Sequence, residues 1–218
     1  MERKRYRYEN YNKDLPSKDA TKYFVIYEAR EKEPKYFEAF KDNFLDREKA
    51  YIHHVLEEDT GVEGNTPLKL KERAESFIKE PPKGIKVTPA IDDKFRFVLD
   101  VDKHTRSHID ELKDFCESLI DGSLYISNYC FEVWLWAHTN DLDDITSTKS
   151  REMKTELGTL KSMNFPIEFM DINLINEAIR RCEAADIANY FPIEKSSKVY
   201  ILIQELLSHS YLNLEIEE

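Results

Sequence analysis

Short apolar runs alternate with helical stripes along the first 140 residues of the chain. The runs KYFVIYE, AYIHHVL, FRFVLD and LYIS, at 22–28, 50–56, 95–100 and 124–127, predict strands because they are rich in β-branched and aromatic residues. Between them, apolar residues recur at three- and four-residue steps, which is typical of amphipathic helices. This order predicts an α/β fold with a mostly parallel sheet of about four strands flanked by helices.

Beyond residue 140 the pattern is helical. Helices are predicted at 149–163, after a capping Asp171, and at 196–208. The segment YCFEVWLWAH at 129–138 fits either a buried helix or a strand, and its periodicity does not decide between them.

These patterns divide the chain into three parts. Residues 1–20 are predicted to form a basic N-terminal arm, since Arg and Lys alternate there with Tyr. Residues 21–140 form the α/β core, and residues 141–218 form a helical extension that packs on it.

Acidic side chains follow two of the predicted strands. Asp100 and Asp102 come at the end of the third strand, and Glu28 ends the first. Side chains two residues apart on an extended segment face the same way, and sites in parallel sheets form at the carboxyl ends of strands. Asp100 and Asp102 can therefore converge on one point, and Glu28 faces the same crevice if the first and third strands are neighbours. Such a set of carboxylates would suit Mg²⁺. The alternative is a solvated turn in which Asp102 caps the next helix.

The charge of the chain restricts the kind of partner that it can bind unaided. There are 43 acidic and 32 basic residues, a net charge of −11, so generic binding of nucleic acid is disfavoured. Three widely spaced cysteines predict reduced thiols and a cytoplasmic protein. No run approaches the roughly 20 apolar residues of a membrane helix, and no GxxxxGK[ST] loop for ATP is present.

Five segments resemble, in chain order, the motifs of one family. YFVIYEAREKEPKYFEAF is similar to an EGxxTEPxYF opening, GNTPLKLKERAE to a DPLKL-type helix start, and LDVDKH to FDxDxH. SNYCFEVWLWAH is similar to SNPCFExWLLxH, and EKSSKVYILIQEL to S-x-K/N-V-Y-x-L-x-x-x-L. These motifs are typical of RloB-like and AbiL-type proteins. Their strand-Glu and strand-DxD pattern resembles the Toprim domain of topoisomerases, primases and OLD-family nucleases.

The resemblance implies a Toprim-like fold and phosphodiester cleavage that depends on Mg²⁺ or Mn²⁺. Glu28 would be the general acid/base or a metal ligand, Asp100 and Asp102 would bind metal, and Glu132 would be a further ligand. The residues expected to contact phosphate or substrate are Arg30, Lys32, Lys103, His104 and His138.

The chain departs from the family pattern beside the first glutamate. Ala29 replaces a glycine, Arg30 and Glu31 replace the usual Glu and Lys, and Tyr129 replaces a proline. These changes leave open whether Arg30 or Lys32 serves as the basic residue of the site.

The resemblance also implies a biological role. RloB-like proteins are associated with bacterial phage defence, often beside an ATPase of the ABC/SMC type. The expected function is an effector nuclease acting on RNA, tRNA included, or on DNA. The alternative is a non-catalytic, Toprim-like subunit or sensor bound to that ATPase. Whether the chain forms a homo-oligomer stays open.

Overall fold

The computed structural model describes residues 19–56, 66–85, 87, 93–101, 104–156, 165–187, 189–192 and 195–212. Within them, one five-stranded sheet has the order β2-β1-β3-β4-β5. The strands are β1 (Thr21–Tyr27), β2 (Ala50–Val55), β3 (Asp93–Asp100), β4 (Gly122–Asn128) and β5 (Ser196–Ser197). All neighbouring pairs are parallel except β4 and β5, which are antiparallel. The predicted α/β fold with a mostly parallel sheet is therefore confirmed.

Seven α-helices lie in the described ranges. They are α1 (Lys32–Phe44), α2 (Pro67–Lys79), α3 (Arg106–Ser118), α4 (Glu132–Trp136), α5 (Ser150–Glu156), α6 (Ile172–Ala184) and α7 (Val199–Leu207). None of these helices is long and apolar enough to cross a membrane.

Helix starts follow the local sequence. The Thr66 hydroxyl accepts a hydrogen bond from the Lys69 amide, and Asp171 caps α6 by accepting from the Asn173 amide. Thr105 stands before α3 as predicted, but its side chain makes no capping bond.

Alternate residues of the strands pack into two separate layers. On β1, Tyr23, Val25 and Tyr27 share a core with residues of α1, α4, α6 and α7. Phe24 and Ile26 of the same strand share a second core with residues of α2 and α3. Both faces of the sheet are therefore covered by helices, as a parallel sheet requires.

The strand order places a topological switch point between β1 and β3. The chain leaves β1 outward to β2 and then returns to pair β3 on the other side of β1. Connections after β1 and β3 therefore diverge, and a crevice opens at their carboxyl ends. The Glu28 amide extends the pairing by donating to the Val98 carbonyl at 3.1 Å. Both predicted acidic strand ends thus lie at this crevice.

The structure decides one segment that the sequence left open and corrects the start of a second. The ambiguous segment 129–138 contains a short helix, α4, rather than a strand. In 196–208 the first two residues form β5, so α7 begins only at Val199. The predicted helix at 149–163 is present as α5, and its continuation at 157–163 lies outside the described residues, as does the arm at 1–18.

Candidate functional site

The Glu28 carboxylate is held at the end of β1 by contacts to two other parts of the chain. One oxygen, Oε2, accepts a 2.9 Å hydrogen bond from the Asp100 amide. The other, Oε1, lies 2.8 Å from Nε2 of His104. The His104 side chain is only 5% exposed. Glu28 is therefore fixed in orientation by the residues around the end of β3.

Asp100 carries a buried carboxylate oxygen that is not bonded. The residue is buried, and its Oδ1 has no hydrogen-bond partner among the described residues. Asp100 lies two residues after Val98, which packs in the layer with α1 and α4, so its side chain points toward those helices. An unbonded buried carboxylate is costly, which indicates that a ligand or a proton is needed here.

Two glutamates from those helices approach Asp100. Glu33 is the second residue of α1 and Glu132 is the first of α4, and both are buried. Burial, followed by the charges of Glu33, Glu28 and Glu132, raises the pKa of Asp100 well above its usual range. We call these four residues, Glu28, Glu33, Asp100 and Glu132, the acidic cluster.

The members of the acidic cluster differ in how their charge is accommodated. Burial and the charges of Glu132 and Glu28 raise the pKa of Glu33 to about 7. Its Oε2 is also buried without a partner among the described residues. Burial alone would raise the pKa of Glu132 too, but an ion pair with Lys32 outweighs it and leaves this pKa below its ordinary value.

The donor chemistry of the acidic cluster fits a hard divalent cation. All its donors are carboxylate oxygens, which Mg²⁺ and Mn²⁺ prefer, and two of the buried oxygens are unbonded. No group of three or more His, Cys, Asp or Glu side chains in the described ranges is already arranged around one metal position. Mg²⁺ usually keeps several of its waters, so one or two direct carboxylate ligands suffice. Asp102 and Lys103 lie outside the described residues.

Comparison with known protein families identifies the chain. A family model for RloB-like proteins matches residues 23–206. The chain belongs to the RloB-like family. No curated protein and no solved structure matches it. All the predicted site residues, from Glu28 to His138, lie inside the matched range.

The basic residues beside β1 take different positions in this RloB-like protein. Lys32 begins α1 and makes an ion pair with Glu132, while its side chain remains 45% exposed. Arg30 lies in the loop between β1 and α1 and is exposed. The structure therefore brings Lys32 into contact with the acidic cluster.

The two predicted histidines lie in different environments. His104 contacts Glu28 and so belongs to the site. His138 is buried in an aromatic core, where Nδ1 lies 2.9 Å from the Trp134 carbonyl and Nε2 lies 3.2 Å from the Tyr36 hydroxyl. Burial lowers the pKa of His138 to about 4, so it is neutral at physiological pH. This position argues against the predicted contact between His138 and phosphate.

Two residues near the acidic cluster were not among the predicted site residues. Glu33 follows Lys32 in the segment that resembles EGxxTEPxYF, and its place before Pro34 was the signal that could have found it. Lys154 on α5 is exposed, yet its charge lowers the pKa values of both Asp100 and Glu132. It therefore adds positive potential to the site from a helix far away in sequence.

Proposed function

We propose that this RloB-like protein is a nuclease that uses a divalent metal ion bound at the acidic cluster. The observation that carries the proposal is the unbonded, buried Oδ1 of Asp100, which lies at the switch point among three further carboxylates. Like charges in one buried place repel one another, and a divalent cation would remove that repulsion. One or two of Asp100, Glu132 and Glu33 would bind the ion directly, with waters completing its shell and Asp102 as a further predicted ligand.

The metal ion and Glu28 would have different roles in phosphodiester cleavage. Bound Mg²⁺ or Mn²⁺ would provide Lewis-acid stabilisation of the negative charge that develops on a scissile phosphate. Glu28, oriented by the Asp100 amide and His104, would hold or accept the proton of the attacking nucleophile. Because His104 bonds one oxygen of Glu28, it is a positioning residue in this scheme.

Substrate contacts would come from the basic groups around the acidic cluster. Lys32 and Lys154 are the described lysines whose charges act on the cluster carboxylates, and Arg30 is exposed on the loop before α1. These groups, with Lys103, would bind phosphate oxygens of RNA, tRNA included, or of DNA. The net charge of −11 would weaken binding elsewhere on the surface.

The family membership supports a place for this nuclease in bacterial phage defence. A Toprim-like assignment agrees with a glutamate after β1 and an aspartate ending the adjacent β3. In this role the protein would be the cytoplasmic effector, and an ABC/SMC-type ATPase would be its partner, since the sequence contains no GxxxxGK[ST] loop.

A specific observation favours the alternative of a non-catalytic subunit. Both oxygens of Glu28 are bonded within the protein, and Lys32 neutralises Glu132. The carboxylates of Glu28 and Glu132 therefore have bonding partners within the protein and do not need a metal. In this alternative the site maintains the fold of an interaction protein that binds the ATPase.

The deciding experiment is a cleavage assay with mixed tRNA and plasmid DNA, in Mg²⁺, Mn²⁺ or EDTA. The wild type is compared with Asp100→Asn and with a matched control, Asp114→Asn, whose carboxylate is exposed on α3. We expect metal-dependent cutting by wild type and control, and none by Asp100→Asn. Cutting by all three proteins would contradict the proposed site.

When no cutting is seen, the effect of Mg²⁺ on the melting temperature distinguishes the nuclease hypothesis from the non-catalytic subunit. A metal that binds only the folded state raises its stability by RT ln(1 + [L]/Kd). A rise in melting temperature with Mg²⁺ that Asp100→Asn lacks would keep the nuclease hypothesis and direct the search to an activating partner. The absence of any rise in the wild type would favour the non-catalytic subunit.

A further inference from the structure

The ion pair between Lys32 and Glu132 joins the starts of two helices across the acidic cluster. Lys32 is the first residue of α1 and Glu132 the first of α4, one hundred residues apart in the chain. The Glu132 side chain is only 6% exposed, whereas that of Lys32 is 45% exposed. The ammonium therefore reaches inward from the solvent side to a carboxylate that is otherwise buried.

This ion pair competes with a metal that would bind Oε1 of Glu132. The lysine ammonium bonds the Oε1 oxygen of Glu132, and an oxygen directed at a lysine is not directed at a metal. A lysine also has a flexible four-carbon stem and a strongly hydrated head group, so it can leave one partner and become solvated. The neighbouring Asp100 and Glu33 have unbonded oxygens, so Glu132 is the cluster member that a metal would have to take from a cation.

We propose that Lys32 is the resident counter-ion of the acidic cluster and that a divalent metal ion displaces it from Glu132. The inference rests on the proposed metal site and adds a regulatory element to it. Lys32 lowers the affinity for metal, so that the loaded site forms only above a threshold of free metal. The displaced ammonium then lies on the exposed side of the cluster, where an anionic phosphate group would be its next partner.

Substitutions of Lys32 should change metal affinity in opposite directions. Lys32→Gln removes the competing charge but keeps much of the side-chain length. Lys32→Arg keeps the charge and binds carboxylates more firmly through its planar, two-pronged head group. Lys35→Gln is the matched control, because Lys35 lies on the same helix and pairs only at the surface with Glu31.

The experiment is a calorimetric titration of each purified full-length variant with MnCl₂, without nucleic acid. We expect Lys32→Gln to bind Mn²⁺ about tenfold more tightly than the wild type, because one nearby positive charge is gone. Lys32→Arg should bind more weakly than the wild type. Lys35→Gln should stay within about twofold, since exposed ion pairs contribute little. In EDTA, Lys32→Gln should melt at a lower temperature, because Glu132 loses its counter-ion.

Other results of the titration would contradict the displacement proposal, the metal site or both. Unchanged or weaker binding by Lys32→Gln would overturn the displacement proposal while leaving the proposed metal site in place. Should Lys32→Gln fail to fold, Lys32→Arg still decides, because equal or tighter binding by that variant contradicts competition. If neither the wild type nor any variant binds Mn²⁺ at the cluster, as judged against Asp100→Asn, both the metal site and the displacement proposal are wrong.

Discussion

The amide of Asp100 donates a 2.9 Å hydrogen bond to the carboxylate of Glu28, which ties the last residue of β3 to the residue after β1. The same Asp100 carries a side-chain oxygen that is buried and unbonded in the described part of the chain. Asp100 therefore contributes to the site in two separate ways. Its backbone orients the neighbouring carboxylate, and its side chain remains able to bind a ligand.

Replacing Asp100 with asparagine should stabilise the metal-free protein. The substitution keeps the shape and the backbone bond to Glu28 but removes a buried charge that three other carboxylates repel. We expect the free energy of unfolding in EDTA at pH 8 to rise by about 1–2 kcal/mol, because a neutral amide avoids the cost of burying or protonating a carboxylate among like charges. Mg²⁺ should then add no further stability. Urea denaturation with and without Mg²⁺ measures both effects.

The control for this prediction is Asp114→Asn, at an exposed position of α3. It should leave the urea midpoint and its response to Mg²⁺ unchanged. A lower stability of Asp100→Asn in EDTA, together with retained Mg²⁺ protection, would show that the Asp100 carboxylate is structural and does not bind metal.

Glu33 should make the metal-free protein less stable as the pH rises toward neutrality. Its pKa is about 7 in the folded state and near 4.5 in the unfolded chain, so the folded state binds the extra proton between these values. Stability therefore falls from about pH 4.5 to pH 7, by up to about 3 kcal/mol for this group. Glu33→Gln should remove that loss, which urea denaturation at pH 5 and pH 7.5 in EDTA would detect.

Glu31→Gln provides the comparison for Glu33. Glu31 lies two residues earlier and is exposed, where it pairs with Lys35. Its substitution should leave the pH dependence of the wild type intact. An equal change of slope in both variants would mean that burial of Glu33 is not the cause.

The sequence predicted the strand ends of the site because two independent signals agreed there. Apolar runs located β1 and β3, and the carboxyl ends of parallel strands meet at one edge of a sheet. Glu28 and Asp100 could therefore be predicted to share a crevice if β1 and β3 are neighbours, and the strand order shows that they are. Glu33 could not, because a glutamate in the first turn of a helix is usually a solvent-exposed partner of the helix dipole. Its burial depends on how α1 and α4 pack, which periodicity does not report.

Two segments were left open or predicted wrongly because their residues lack a periodic pattern of polar and apolar side chains. Segment 129–138 is buried nearly throughout, so neither helical nor strand alternation of polar residues marks it. Strand β5 contains only Ser196 and Ser197, whose pairing with β4 leaves no apolar signal. The phosphate contact of His138 stays a prediction, and the ring of His138 lies among aromatic side chains.

His138 should contribute stability at neutral pH that is lost in mild acid. Its pKa falls from 6.5 to about 4 on folding, so the unfolded chain binds more protons between these values. The contribution is complete above about pH 6.5 and disappears as the pH falls through 4, which is opposite in sign to that of Glu33. His138→Gln should lower the urea midpoint at pH 7.5 and flatten this part of the profile.

The same variant tests the predicted phosphate contact of His138. A residue confined to the aromatic core should lower stability without changing metal affinity, so His138→Gln should bind Mn²⁺ as the wild type does. Reduced affinity for a single-stranded oligonucleotide in the folded variant would restore His138 to the site.

Glu205 should contribute to stability outside the acidic cluster. It accepts hydrogen bonds from Nε and Nη2 of Arg96 at 2.9 and 2.6 Å, and from Lys94 at 2.9 Å. Arg96 is 2% exposed and also pairs with Asp121 through Nη1 at 2.8 Å, so Glu205→Gln removes one of two carboxylates that compensate this buried charge. We expect Glu205→Gln to lower the free energy of unfolding at pH 7 by about 2 kcal/mol, since hydrogen bonds between two charged groups become bonds to a neutral amide.

The pH dependence gives this prediction a second test. Burial raises the pKa of Glu205, but Arg96 and Lys94 outweigh burial and lower it to about 2. The ion pair therefore stabilises the fold above about pH 4.5, and its contribution is lost as the pH falls through 2, so the difference between variant and wild type should shrink there. Glu152→Gln, in an exposed pair with Lys149, should show no measurable change. Arg96 lies four residues before Asp100 on β3, so Glu205→Gln should leave the affinity for Mn²⁺ unchanged. A loss of Mn²⁺ affinity in this variant would mean that the acidic cluster depends on the ion pair between Arg96 and Glu205.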